Sequence, residues 1–431
     1  MREKLASRLG FLMLAAGCAV GLGNVWRFPF VVGQNGGAAF VLVYLGFLAL
    51  FGFPVLLAEL AVGRGGKAGI AFAMKSLGGR WWGYAGLVVF GGNLLLMIYY
   101  TDVAGWLLKF TEAYAADGAP PAFDALVSDR PTCLAYMLVA VGAATAVCAV
   151  GVQRGVERVT KWMMLSLFAL MGILAAKSLT LEGAAKGLEF YLKPDWTPLL
   201  KHPGHVLFDA MGQAFFTLSI GVGAMTIFGS YIDRRESLVK ESALIILIDT
   251  LVAITSGLVI FPACATFGVD VACGPGLIFA ALPKVFAAMN GGRVWGFVFF
   301  LFLSLAALTT VIAVFECLIG GLLDMFRSWR PAISLAVGVL VALFSLPCVF
   351  IDGALSFEDF VFSKFWLPVG GLSLTLFVSY RFGWGWNSFR EEASAGRGMA
   401  LPAWLRPLFG YVVPALIILV IVGGLWPGRT S

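Results

Sequence analysis

The stretch FLMLAAGCAVGLGNVWRFPF occupies residues 11–30 and decides how the rest of the chain is read. It starts as an apolar helix. It then places Gly17, Gly21 and Gly23 at its centre, followed by Asn24, Arg27 and Pro29. Each glycine weakens a helix interior by roughly 1 kcal/mol relative to alanine. Unwound backbone inside a bilayer is tolerated only where it is buried in protein or lines a cavity. A second stretch, AMGQAFFTLSIGVGAMTIFGSY at 210–231, holds Thr217, Ser219, Gly221 and Gly223 at its centre. Interrupted spans at corresponding places in two halves mark inverted-repeat transporters. There, freed amides and half-helix N-termini receive an anionic group, and freed carbonyls receive cations. Gly17 and Gly21 also fit a GxxxG helix-packing face. That reading leaves Asn24, Arg27 and the second interruption without a purpose.

The composition agrees with a membrane setting. Of 431 residues, 60% are hydrophobic and 13% charged, and mean hydropathy is +0.92. Soluble domains carry roughly 45–50% apolar and about 25% charged residues. A soluble enzyme, a secreted disulfide scaffold and a disordered regulator are therefore excluded. The seven cysteines are scattered without a CxxC spacing, so no zinc site or disulfide framework is expected. The apolar run after Arg2, Lys4 and Arg8 outruns a signal peptide and reads as the first span. GRGGKA at 63–68 lacks the ending of a phosphate loop.

Apolar runs of spanning length fall at 10–33, 37–60, 82–112, 132–151, 160–177, 206–231, 242–267, 294–324, 331–350, 359–380 and 408–427. The expected fold is thus all-helical, with about eleven transmembrane helices in a 5+5 inverted repeat whose helices 1 and 6 are broken. The first repeat covers 1–178, the second 179–400 with an outer hairpin near 270–290, and the eleventh helix with the C-terminus 401–431. With the N-terminus cytoplasmic, the inner joints hold 19 of the 30 basic residues, and the net charge of +6 reflects those joints. The positive-inside bias then puts the C-terminus outside.

The stretch GCAVGLGNVWRFPFVVGQNGGAAF (17–40) closely resembles the first-helix signature of the neurotransmitter:sodium symporters, their bacterial amino-acid transporters in particular. GQAFFTLSIGVG, YY, ALTT and LPVGG follow in matching order, so the resemblance covers nearly the whole chain. It implies a sodium-coupled importer of neutral, apolar amino acids working by alternating access, using two sodium ions and no organic cofactor. A partner nucleic acid is not expected, and the oligomeric state is left open. An amino-acid-sensing receptor and a proton-coupled permease of the same architecture are the alternatives. Ending after eleven spans implies a bacterial inner-membrane protein, and the family is not enzymatic.

The resemblance also implies ligand sets. One sodium site takes the carbonyls of Gly17, Val20 and Ala306 with the hydroxyls of Thr309 and Thr310. The sequence independently places Ala306, Thr309 and Thr310 on one helix face. A second site takes Ala19, Asn24, Thr217 and Asp249 with the substrate carboxylate. Bonding back to its own helix is the ordinary alternative for each threonine. Asp249 lies in LIILIDTLVAITSG (244–257) with no nearby cation in sequence. A carboxylate at that depth costs roughly 2.5–3.5 kcal/mol, so it must be paired, protonated or cation-bound. Chloride-dependent members carry a neutral Asn there and a Ser at the position of Ala253. Asp249 is therefore expected to replace chloride, with proton uptake on the return step left open.

Gly21 stands where amine transporters of the family carry an Asp, which implies a substrate with its own carboxylate. That group would meet the amides of Leu22 and Gly23, the Tyr100 hydroxyl and one sodium. The amino group would meet Ala19, Phe216, Thr217 and Ser219, and the side chain Cys18, Leu96, Val222, Thr310 and Val314. Core packing is the plain alternative for Tyr100 and Phe216. The resemblance pairs Arg27 with Asp359 as an outer gate near Gln213, under a lid of Tyr100 and Phe216. It pairs Arg2 with Asp324, supported by Tyr231, as an inner gate. A snorkelling Arg27 and a helix-capping Asp359 are the alternatives. Glu59, Asp102 and Glu316 are intramembrane acids without an assigned role. His202 and His205 show HxxH spacing without further ligands.

Overall fold

A computed structural model describes residues 5–116, 119–271, 276–326 and 328–425. Helices dominate, and no strand occurs among the described residues. Among the described residues, nine helices are long and apolar enough to cross a bilayer. They are Ala38–Gly66, Arg80–Ala116, Arg130–Ala149, Val152–Leu179, Leu238–Phe267, Gly292–Phe326, Arg330–Phe350, Ala354–Ser379 and Ala403–Gly423. They correspond to spans 2–5 and 7–11 of the sequence reading.

The two remaining spans are interrupted where the sequence places their glycines. Span 1 consists of Arg8–Ala19 and Gly23–Gln34, bent by 53°. Span 6 consists of Pro203–Thr217 and Ala224–Gly229. Between those halves Ser219 has φ +49°, Gly221 +93° and Gly223 +71°. A left-handed serine costs roughly 1–2 kcal/mol, so surrounding contacts must hold it. Gly221 fits because a Cβ there would lie 2.1 Å from the Leu367 carbonyl oxygen. Gly370 in span 10 would likewise drive a Cβ to 1.6 Å from the Gly221 oxygen. The LPVGG stretch therefore lets span 10 lean directly on the open backbone of span 6.

Spans 3 and 8 run to 37 and 35 residues. At 1.5 Å per residue these are about 50–55 Å long, so they protrude or tilt. Spans 3, 4, 8 and 9 pack on one another, and spans 1, 2, 6 and 7 form a second packed set against them. Small residues set the closest approaches. A Cβ at Gly63 would reach 1.8 Å from the Thr226 oxygen, and one at Gly229 would reach 2.3 Å from the Leu60 oxygen. This joins span 2 tightly to the second half of span 6. The segment read as a hairpin near 270–290 forms a short apolar helix, Leu277–Ala288. Phe279 buries itself among Trp26, Trp106, Phe110 and Phe123.

Candidate functional site

The break in span 1 points its polar groups at three neighbours. The Leu22 amide donates to the Tyr100 hydroxyl at 3.0 Å, and the Gly23 carbonyl accepts from Gln213 Nε2 at 2.8 Å. Gly21 has no room for a side chain, since a Cβ would lie 2.5 Å from Tyr100 Oη and 2.6 Å from Thr310 Oγ1. Facing it, the strained Ser219 donates to the Cys18 carbonyl at 3.3 Å. The two breaks thus contact each other at the middle of the bundle.

The first predicted sodium cluster converges. Thr310 Oγ1 lies 3.2 Å from the Gly17 oxygen, 3.5 Å from that of Val20 and 3.3 Å from that of Ala306. Thr309 Oγ1 bonds the Ala306 carbonyl at 2.9 Å, as an ordinary helix threonine does. Five oxygens from two helices therefore meet without a charged side chain.

The second cluster centres on Asp249, which is fully buried. Asn24 Nδ2 donates to Asp249 Oδ1 at 2.8 Å and to its carbonyl at 3.0 Å, and Thr217 Oγ1 donates to Oδ2 at 3.1 Å. Ser256, which the sequence reading missed, donates to the Asn24 carbonyl at 2.7 Å. No basic side chain pairs with Asp249 among the described residues. Neutral dipoles and any bound cation are then its compensation. Ala19 reaches the neighbouring pocket instead.

That pocket lies between the breaks and is lined by Ala19, Gly21, Leu22, Gly23, Leu96, Tyr100, Phe216, Ser219, Thr310 and Phe362. Its volume is about 10 Å³, roughly the room one water needs. Cys18, Thr217, Val222 and Val314 do not line it. The Val222 side chain turns toward Gly92 and Trp366, and its carbonyl accepts from Asn93 Nδ2 at 2.7 Å. Asn93 and Phe362 escaped the sequence reading, because an amide or a phenylalanine in an apolar helix carries no pattern of its own.

A vestibule of about 490 Å³ opens beyond Phe216 and Tyr100, on the side opposite the first described residues. Its walls include Leu22, Arg27, Tyr99, Val103, Trp106 and Asp359. Arg27 and Asp359 face each other there without a direct ion pair. Arg27 Nη1 donates to Ser363 Oγ at 3.4 Å, and Ser363 Oγ donates to Asp359 Oδ1 at 2.9 Å. The Arg27 guanidinium also sits 4.5 Å from the Phe216 ring centre, a cation–π contact across the lid.

On the opposite side, Arg2 lies outside the described residues. Asp324 Oδ2 accepts from the Gly69 amide at 2.7 Å. Tyr231 donates to Glu316 Oε1 at 2.6 Å, and the buried Glu316 forms an ion pair with Arg330. Arg330 Nε also donates to the Cys148 carbonyl at 2.9 Å. Glu316 therefore ties span 6 to spans 4, 8 and 9. Glu157 holds the residues just before span 1, accepting from the Ala6 amide at 2.6 Å and the Ser7 hydroxyl at 2.9 Å. Among the described residues no group of His, Cys, Asp and Glu able to hold a metal occurs, and His205 instead meets Asn35 at 3.3 Å.

Two broken helices beneath a one-sided vestibule define a secondary transporter embedded in a membrane. The sodium:neurotransmitter symporter family profile matches residues 2–117 and 127–427. The chain belongs to that family, which uses sodium and is not enzymatic. It is 33% identical to an uncharacterized sodium-dependent transporter of Bacillus subtilis, YhdH, over 96% of both chains. A bovine sodium- and chloride-dependent taurine transporter is 30% identical over 76% of this chain and 61% of its own length. The crystal structure of MhsT in complex with L-phenylalanine superposes with a TM-score of 0.88. It is 34% identical over 99% of this chain and all of that one.

Proposed function

We propose that this symporter imports neutral, apolar amino acids across the plasma membrane, driven by two sodium ions and without a chloride requirement. The observation that carries this reading is the pocket between the two breaks. It presents amides, carbonyls, three hydroxyls and apolar walls, but no ionised side chain. A substrate held there has to bring both of its charges, and its side chain has to be uncharged. The likeness to a protein crystallised with L-phenylalanine supports the substrate class. Its narrow volume means that binding swings Phe216 and Leu22 outward.

The two oxygen clusters support two sodium ions, and the unpaired Asp249 beside Asn24 and Thr217 supports a fixed negative charge in place of chloride. Spans 1, 2, 6 and 7 then rock against 3, 4, 8 and 9, with 1–178 and 179–400 as the inverted repeats. The basic joints support a cytoplasmic N-terminus, which turns the vestibule outward. The deciding experiment is uptake of radiolabelled phenylalanine into liposomes with and without a sodium gradient, challenged by an amino-acid panel. Sodium-dependent uptake inhibited by apolar amino acids, in chloride or gluconate alike, is expected. Uptake indifferent to sodium, inhibited best by charged amino acids, or lost in gluconate overturns it.

A further inference from the structure

Span 3 carries a carboxylate that neither the ion clusters nor the substrate pocket uses. Asp102 is 2% exposed, and neither of its oxygens has a hydrogen-bond partner among the described residues. Tyr99 and Trp106, three residues before it and four after, share its side of the helix, and both line the vestibule.

The groups around it do not neutralise it. Cys133 of span 4 and Cys348 of span 9 lie within electrostatic reach. Arg130, at the head of span 4, is engaged elsewhere. Its Nη1 donates to the Val349 carbonyl at 2.9 Å, and its other branch pairs with Asp352. Glu358 and Asp359, at the start of span 10, carry the same sign as Asp102. The neighbouring Thr101 donates to the Met97 carbonyl at 2.8 Å and meets Ser345. Span 8 and the Ile70–Gly78 helix also pack on span 3. Of their ionisable groups, Glu316, Asp324 and Lys75 gather toward the other end, where Lys75 lies against Gly83, and Arg293 is engaged by the carbonyls of Tyr114, Ala115 and Ala116 at the far end of span 3.

An unpaired charge in such a place costs several kcal/mol. A hard metal cation needs several oxygen ligands at once, and among the described residues Asp102 belongs to no group of three or more His, Cys, Asp and Glu side chains able to hold one. A proton needs only the one carboxyl group. We propose that Asp102 is a proton-binding site just behind the vestibule wall, and that its protonated form is the one able to close the vestibule. Its oxygens are already shut off from water behind the wall formed by Tyr99, Val103 and Trp106. A neutral acid tolerates that place as the wall packs shut, whereas a carboxylate draws water in and holds the wall open. Alkaline medium on the vestibule side therefore slows turnover but leaves substrate binding to the open form unchanged.

The test is sodium-driven phenylalanine uptake into liposomes, with the lumen held neutral and the outer medium stepped from neutral to alkaline. The wild type is expected to lose several-fold in initial rate at constant binding affinity. Asp102→Asn, neutral throughout, is expected to show no such loss. A parallel decline in both, or a flat wild type, overturns the proposal. If Asp102→Asn does not fold, infrared spectra of aspartate-labelled protein carrying Asp249→Asn, which removes the other buried aspartate without a basic partner, decide, and these need no substrate. A protonated-carboxyl band at neutral pH that disappears in alkali supports the site, and its absence at neutral pH overturns it. Because that arm is independent of transport, its failure is distinguishable from a wrong substrate assignment.

Discussion

The Glu59 carboxylate of span 2 accepts a hydrogen bond of 2.6 Å from the main-chain amide of Gly221, inside the break of span 6. Its oxygens also accept from Gly223 at 3.4 Å and from Met225 at 3.1 Å. One buried side chain thus satisfies amides that the missing helical turn releases, where water is scarce. Glu59→Gln turns a donor toward those amides and removes a charge-assisted bond worth roughly 1.5–3 kcal/mol. Uptake is expected to fall at least about tenfold while the protein still reaches the membrane. Radiolabelled uptake normalised to surface protein checks this.

Thr310 contributes the hydroxyl shared by the carbonyl oxygens of Gly17, Val20 and Ala306. Thr310→Val keeps the shape and removes the oxygen. The sodium concentration for half-maximal uptake is expected to rise about tenfold, since one polar contact is worth roughly 1 kcal/mol or more. Titrating uptake against sodium at constant ionic strength measures the shift.

The breaks of both spans were legible in the sequence because Gly17, Gly21, Gly221 and Gly223 interrupt runs that are otherwise continuous and apolar. Asp249 and Thr310 were legible as polar groups with no sequence-local reason to be there. Glu59 and Glu316 stood out for the same reason, but their partners are main-chain amides and an arginine from other spans, which no spacing reveals. Val222 and Val314 were assigned to the substrate side chain, yet the Val222 side chain packs toward Gly92 and Trp366 and neither residue lines the pocket. A broken helix has no fixed rotation between its halves, so helical phase cannot say which way Val222, inside the break of span 6, points. Ser363 was invisible as the bridge between Arg27 and Asp359, because it is an ordinary serine four residues past an acid.

A gate proposed at Arg27 and Asp359 is, through that bridge, a loose chain of polar contacts, each worth about 0–1 kcal/mol when hydrated. Asp359→Ala leaves Arg27 held by the Phe216 ring and Ser363 alone. Uptake is expected to fall several-fold, with faster escape of bound substrate toward the vestibule. Dissociation of labelled phenylalanine from detergent-solubilised protein reads the escape directly, and undiminished uptake would count against the gate.

The Glu316–Arg330 pair is buried on the glutamate side, whose side chain is 0% exposed. Removing only the cation strands a carboxylate, a change worth roughly 3–5 kcal/mol. Arg330→Met is expected to lower the thermal unfolding midpoint markedly. The double variant Glu316→Gln with Arg330→Met is expected to recover most of the loss, because it leaves no lone charge. Unfolding curves of the purified proteins separate the two.

The central claim is that unwound backbone at Leu22 and Gly23 receives the substrate carboxylate beside sodium. The most direct test compares equilibrium binding of phenylalanine and of its methyl ester to purified protein, with sodium or potassium as the sole alkali cation. The account predicts that phenylalanine binds in sodium alone and that the ester, lacking the carboxylate, binds about 100-fold more weakly, near 3 kcal/mol. Equal binding of acid and ester, or equal binding in sodium and potassium, would contradict it.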